Sequence, residues 1–372
     1  MIELNDVTKI YDGQTVPAVE SLDLKISKGE TCVFVGPSGC GKSTILRMIN
    51  RMIEQTTGTI TINGEEVRGT DPDRLRMNIG YVIQQIGLLP HRTVAENVAI
   101  VPRLHGWDKE KTAKRVDELL ELMGLIPEET IDKYPAQLSG GQMQRVGVAR
   151  AMAVDPPVML MDEPFGAVDP IVRSHLQDEF LRLQTEMRKT ICFVTHDINE
   201  AIKMGDTIAI FTKGHLVQHG TPQEILSKPK NEFVRDFIGQ DRVVKMLTLF
   251  QVRSIAKANP CTIHEDELPN IRQKMKEQQA RGFFLVDQSE APCGLITAED
   301  LERESDASQE RLKELAFSRR GAFIDQHLLL SDALSYMLEW DTDYLGVMNG
   351  QDLSGVVSMA DIRECASRKE GD

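Results

Sequence analysis

The sequence predicts an α/β chain in two parts, a larger layered domain followed by a smaller α+β pair of like units. Three observations predict it. With 372 residues, the chain exceeds what one ordinary core encloses. Residues 1 to about 240 alternate short β-type runs with helical patterns. Beyond them the chain repeats itself.

In chain order, apolar runs at Cys32–Val35, Val158–Met161, Ile191–Val194 and Thr207–Phe211 read as buried strands. The segment Thr44–Met52 reads as helix. From about 92 to 152 the pattern is helical and strand-poor. Between Lys109 and Met123, apolar Ala113, Val116, Leu119, Leu120 and Met123 recur at helical spacing, so a helical subdomain is expected inside the α/β core. Pro229 to Asp241, with LSKPKNEF and IGQDR, reads as a linker closing a first domain at about 240. Thereafter FFLVDQSEAPCGLITAEDL (283–301) overlays YLGVMNGQDLSGVVSMADI (344–362). Val286 falls on Val347, Gly294 on Gly355, Thr297 on Ser358 and Asp300 on Asp361. Two copies of one unit follow, expected at 246–305 and 309–368, each burying its open face on the other.

Composition narrows the function classes. A net charge of −14 disfavours non-specific nucleic-acid binding, which draws on a basic face. No apolar stretch approaches the roughly 18–20 residues that span a bilayer. The start, MIELNDVTKIYDG, lacks the charged head and apolar stretch of a secretory signal. Cys32, Cys40, Cys192, Cys261, Cys293 and Cys365 are scattered without zinc-type spacing, as expected of reduced thiols in the cytoplasm.

The chemistry lies in three strings. The first, GPSGCGKST, comprises Gly36, Pro37, Ser38, Gly39, Cys40, Gly41, Lys42, Ser43 and Thr44, set between a strand and a helix. Its glycines let backbone N–H groups curl round phosphate oxygens, and the helix N-terminus adds a favourable dipole. Lys42 is placed to neutralise the β- and γ-phosphates of ATP, and Ser43 to ligate Mg²⁺. The second, VMLMDEP (158–164), ends an apolar strand in Asp162 and Glu163, at the sheet edge where open α/β folds bind ligands. Asp162 suits Mg²⁺, directly or through water, and Glu163 suits a general base. The third, LSGGQMQR (138–145), presents Ser139, Gly140, Gly141 and Gln142 at a helix start. That start offers a hydroxyl and unencumbered amides to a second phosphate.

These strings, in this order, resemble ABC ATPases over residues 1 to about 240. The resemblance implies a homodimer in which the Ser139–Gln142 signature of one subunit caps ATP held by the phosphate loop of the other. It also implies that Gln84, in YVIQQIGLLPH, reaches Mg²⁺ and the attacking water, with Gln85 the neighbouring candidate. By the same match, Asp169 in GAVDP lies on a loop crossing the dimer interface, and His196 in FVTHD contacts the γ-phosphate. Tyr11 in TKIYDG would stack on adenine. Val168 replaces the leucine of many members, a conservative departure.

The repeat, with an apolar strand followed by a turn of G-apolar-apolar-T/S-x-x-D type, looks like a pair of CBS domains. An ABC ATPase followed by such a pair resembles the ATPase of osmoprotectant importers, as do MINRMIE and MDEPFGAVDPI. The resemblance implies uptake of glycine betaine, carnitine, choline or related quaternary amines through separate transmembrane permease subunits. An external substrate-binding protein is implied too, with this chain peripheral on the cytoplasmic face of the membrane. Thr297 with Asp300, and Ser358 with Asp361, match positions that hold a regulatory nucleotide; sensing of ionic strength through anionic lipid is the other reading. Residues 243–372 carry 15 Lys and Arg against 23 Asp and Glu, which favours the nucleotide. An importer ATPase for another small solute, such as an amino acid, is the alternative cargo reading. A soluble ABC ATPase of translation or DNA repair is the alternative class, disfavoured by the acidic balance and the lack of heptads.

Overall fold

The structure, a computed structural model, describes residues 1–83, 87–166, 169–304 and 307–367. It divides into two compact units, Met1–Ile238 and Gly239–Asp372.

The first unit opens with β1 (Ile2–Lys9), β2 (Val19–Ile26), β3 (Thr31–Val35), α1 (Lys42–Ile49), β4 (Thr57–Ile62), β5 (Glu65–Glu66), α2 (Pro72–Met77) and β6 (Ile79–Val82). A helical stretch follows, α3 (Val94–Leu104), α4 (Lys109–Leu122), α5 (Pro127–Thr130) and α6 (Gly140–Ala151). The unit closes with β7 (Val158–Asp162), α7 (Pro170–Met187), β8 (Thr190–Thr195), α8 (Ile198–Met204), β9 (Thr207–Thr212), β10 (His215–Gly220), α9 (Pro222–Ser227) and α10 (Glu232–Ile238). The main sheet runs β10-β9-β3-β8-β7-β6, parallel throughout except for the antiparallel edge strand β10. Strands β3, β7 and β8 are buried at every residue. A parallel strand covered on both faces reads as an unbroken apolar run, which is why these were visible in the sequence. A second sheet, β2-β1-β4-β5, is antiparallel. Strand β2 alternates buried Val19, Leu22, Leu24 and Ile26 with exposed residues, the half-wet pattern that a search for apolar runs passes over.

Two elements differ from expectation. Helix α1 starts at Lys42, inside the glycine string, and ends at Ile49 rather than Met52, because Arg51 takes a left-handed φ of 50°. The expected linker is largely helix: α10 anchors Val234 and Ile238 in the first unit, and the break falls at Gly239, where φ is 96°.

The second unit contains α11 (Arg242–Leu247), β11 (Lys257–Ala258), β12 (Thr262–His264), α12 (Ile271–Gln278), β13 (Gly282–Val286), β14 (Pro292–Thr297), α13 (Ala298–Arg303) and α14 (Gln309–Ser318). Its second half contains β15 (Phe323–Asp325), α15 (Leu330–Glu339), β16 (Tyr344–Asn349), β17 (Asp352–Ser358) and α16 (Met359–Ser367). Each half has a parallel pair followed by an antiparallel hairpin: β12 on β13 with β14, and β15 on β16 with β17. Phe284 of the first half packs on Phe323 of the second at a ring separation of 5.6 Å.

Packing does not follow the boundaries 246–305 and 309–368. Leu247 and Val252 join the second half's core, and β11 pairs with β17, whereas α14 buries Leu312 and Ala316 in the first half's core. Gly294 shows why α14 belongs there, since a Cβ on it would lie 2.1 Å from the Ala316 carbonyl oxygen. The repeat register also needs correction. Gly294 pairs with Leu285 and Gly355 with Val347, so it is Leu285, not Val286, that corresponds to Val347. The turn of the first hairpin is one residue longer, and a gapless overlay slips its first strand by one.

Candidate functional site

Strands β3, β8 and β7 lie side by side, and their carboxyl ends carry the three principal groups of the site. After β3 comes the glycine loop. Gly36 has φ 151° and runs so close to β9 that a Cβ would lie 2.2 Å from the Phe211 carbonyl oxygen. Gly41 has φ 104°, and a Cβ there would lie 2.4 Å from the Ala18 carbonyl oxygen. Both positions require glycine. The ammonium of Lys42 is buried in the loop, donating to the Gly36 carbonyl at 2.7 Å and the Pro37 carbonyl at 3.0 Å, with the Cys40 sulfur at 3.5 Å. Ser38 and Gly39 form the outer turn of the same loop. Thr44, on α1, has its hydroxyl 3.2 Å from the Tyr11 hydroxyl, which places that aromatic ring beside the loop.

Strand β7 delivers Asp162 to the loop. The Ser43 hydroxyl donates to Asp162 Oδ1 at 2.9 Å. Burial pushes the Asp162 carboxyl above its usual range; the Ser43 donation opposes this, and the neighbouring Glu163 carboxylate adds to it. A hydroxyl and a carboxylate oxygen this close, on a half-compensated acid, form the oxygen donor set that a hard divalent cation takes.

Glu163 occupies a left-handed conformation, φ 47°, uncommon for glutamate, held by donation of its N–H to the Val194 carbonyl at 3.0 Å. That bend turns its carboxylate toward the end of β8, where Glu163 Oε1 lies 3.3 Å from His196 Nδ1. The His196 side chain is otherwise exposed. A carboxylate and an imidazole in mutual reach beside a phosphate-cradling loop are equipped to orient water and to share a proton.

Two buried groups behind His196 were not singled out in the sequence. Gln177 on α7 donates to Glu200 Oε1 on α8 at 2.8 Å, and both are buried. Thr195, next to His196, also bonds Glu200 and opposes the upward shift that burial imposes on this acid. The available signal was a carboxylate among the apolar positions Ile198, Ala201 and Ile202 of α8.

The remaining candidates fall into three groups. Ser139 is the N-cap of α6: its hydroxyl accepts from Gln142 N–H at 3.3 Å, and Gln142 Oε1 accepts from Ser139 N–H at 3.0 Å. With Gly140 and Gly141 in the first turn, this exposed helix start presents amides outward. Asp169 is exposed just ahead of α7. Gln84, Gln85 and Val168 lie outside the described residues.

In the second unit, Thr297 and Ser358 cap α13 and α16. Thr297 exchanges capping bonds with Asp300, and Ser358 with Asp361. Arg319 pairs with Asp300, and Lys257 with Asp361 at 2.6 Å. These carboxylates are engaged in local structure. A cleft of about 270 Å³ lies beside Thr297, walled by Arg281, Arg319, Asp341, Asp343 and Tyr344 among others. Of the four predicted residues, Thr297 alone lines it.

Known proteins match both units. The model of a family described as "ABC transporter" matches residues 19–166. The glycine betaine/carnitine/choline transport ATP-binding protein OpuCA of Bacillus subtilis is 43% identical, over 97% of this chain and 95% of that protein. The carnitine transport ATP-binding protein OpuCA of Listeria monocytogenes is 45% identical, over 97% and 91%. The osmoprotectant import ATP-binding protein OsmV of Salmonella typhimurium is 46% identical, over 80% and 79%. Among solved structures, a bacterial ABC transporter cassette in dimeric form aligns at TM-score 0.56 and 36% identity, covering 60% of this chain and 99% of that one. A post-hydrolysis dimer of the same cassette, bound to ADP and Pi, aligns at TM-score 0.56 and 35% identity.

Proposed function

This chain belongs to the ABC transporter family, and on that premise we propose that it powers import of osmoprotectants of the glycine betaine, carnitine and choline type. It binds and hydrolyses ATP, and hydrolysis is coupled to transport. The observation that carries the cargo is the reach of the match, which runs through the second unit as well as the first, over 97% of the chain. Among the described residues no helix is long and apolar enough to cross a membrane. As with the transport ATP-binding proteins it resembles, the solute path belongs to separate permease subunits fed by an external binding protein, with this chain peripheral on their cytoplasmic side.

Two copies face each other, the phosphate loop of each opposed to the Ser139–Gln142 helix start of the other. Lys42 leaves its loop carbonyls for the β- and γ-phosphates of ATP. Ser43 and Asp162, 2.9 Å apart, would hold Mg²⁺, which neutralises phosphate charge when bound. By the family resemblance, Gln84 would be a further Mg²⁺ contact. Tyr11 supports the adenine. Glu163 orients the attacking water and takes its proton, and His196 meets the charge that develops on the γ-phosphate. Asp169 lies where the two copies meet. Closure on ATP and reopening after hydrolysis drive the permease. The second unit regulates the cycle through a nucleotide in the cleft beside Thr297, where Arg281 and Arg319 suit phosphate and Tyr344 suits a base.

The test is ATP-driven uptake of labelled betaine, carnitine and choline by the complex of this chain with its permease in vesicles. Uptake of at least one quaternary amine, absent without ATP, is expected. Uptake of amino acids alone would contradict the cargo.

A further inference from the structure

Glu30, Cys32 and His219 converge at the opposite end of β3 from the phosphate loop, and the ATP site uses none of them. One carboxylate oxygen, the thiol sulfur and one imidazole nitrogen all lie within 4.8 Å of one another. The three come from separate supports. Glu30 precedes β3, Cys32 lies on β3 beside Thr207 of β9, and His219 lies on edge strand β10 opposite Ala209 of β9. The Glu30 carboxylate is oriented by outer partners, accepting from Ser27 N–H at 2.6 Å and from the Thr207 hydroxyl. Partial covering of the His219 ring lowers its value against the opposing pull of Glu30 and Glu224, while its outer face stays exposed. Burial also pushes the Cys32 thiol up to about 12, so without an ion it keeps its proton.

We propose that Glu30, Cys32 and His219 form a zinc-type metal site, with a fourth position open to water, that fastens edge strand β10 to β3. The donor set decides the class of ion. Sulfur with imidazole nitrogen and carboxylate oxygen is the set that zinc takes, whereas Mg²⁺ and Ca²⁺ take oxygen alone. Ligand bonds of roughly 2.0–2.3 Å require the donors to draw in from their present spacing. His219, exposed on an edge strand, has the freedom to supply that movement. On binding, the Cys32 S–H bond is replaced by a sulfur–metal bond and its proton passes to solvent.

The experiment uses the full chain stripped of metal, without nucleotide, and cobalt(II) as a spectroscopic probe. The expected result is one ion per chain, with a near-ultraviolet thiolate-to-cobalt charge-transfer band that zinc bleaches. Cys32→Ser should abolish the band. His219→Ala, at an exposed position, should keep the fold and weaken binding by at least about ten-fold, the lower end for loss of even an outer partner. Zinc should raise the melting temperature of the unmodified chain and not that of His219→Ala. A band that survives Cys32→Ser, an affinity unchanged in His219→Ala, or no band at all would overturn the site. None of these readouts involves ATP hydrolysis, so they leave the transport reading untouched.

Discussion

Glu163 shows how one residue's backbone serves chemistry. Its left-handed φ of 47° is a conformation glutamate rarely takes, and it sets the carboxylate 3.3 Å from His196. The strings DEP and THD located both residues in the sequence; the bend that joins them lies in φ, which no residue pattern displays. Glu200 left only a faint signal for a related reason, because Gln177 on α7 and Thr195 at the end of β8 meet it only once α8 has folded back onto them. It also yields a prediction. Burial raises its carboxyl value in the folded chain, so the folded state holds that proton more tightly than the unfolded state. Its contribution to stability is greatest at low pH and is lost as pH rises through the folded value. Relative to Glu200→Gln, which has no charge to desolvate, the unmodified chain should lose stability as pH rises from the ordinary glutamate value of about 4.3. The difference should level off above the folded value. Denaturant titrations of both chains across that window measure it, and a difference that grows in the other direction would contradict the assignment.

Elements were legible in proportion to how completely they are buried. Strands β3, β7, β8 and β9 announce themselves as apolar runs because covered parallel strands have no wet face. Strands β1, β2 and β4 do not, and the antiparallel sheet they build was absent from the sequence reading. The repeat was legible as a repeat but one residue out of register in β13, since turn length leaves no trace in a gapless overlay. Packing of α14 on β14 rests on one contact that can be tested directly. Gly294→Ala places a methyl group where 2.1 Å separates it from the Ala316 carbonyl oxygen, and backbone has little room to yield. We expect it to destabilise the second unit by about 1–3 kcal/mol, the usual cost of overpacking. Nucleotide binding by the first unit should persist. Calorimetry with a nucleotide-binding assay separates the two, and unchanged stability would refute the contact.

At the scale of the whole molecule, the proposed function assigns phosphate to two helix starts of each copy, α1 after the glycine loop and α6 at Ser139. The first has Lys42 folded back onto the carbonyls of its own glycine loop; the second is exposed and capped by the reciprocal bonds between Ser139 and Gln142. An exposed helix start that turns its amides outward is suited to closing over a phosphate held by another chain. The order of the strings leads to the same expectation, because their family resemblance implies a dimer, and the solved cassettes that align with this chain are dimers. The central claim is therefore that one copy's Ser139–Gln142 segment completes the ATP site of the other. The most direct measurement is size-exclusion chromatography with light scattering on Glu163→Gln, in which hydrolysis is suppressed and ATP is retained. The account predicts that ATP with Mg²⁺ shifts this variant from monomer to dimer. It also predicts that adding Gly141→Asp abolishes the shift while monomer affinity for ATP stays unchanged. A dimer that still forms with Gly141→Asp, or a monomer whose own ATP binding fails with it, would contradict the shared site.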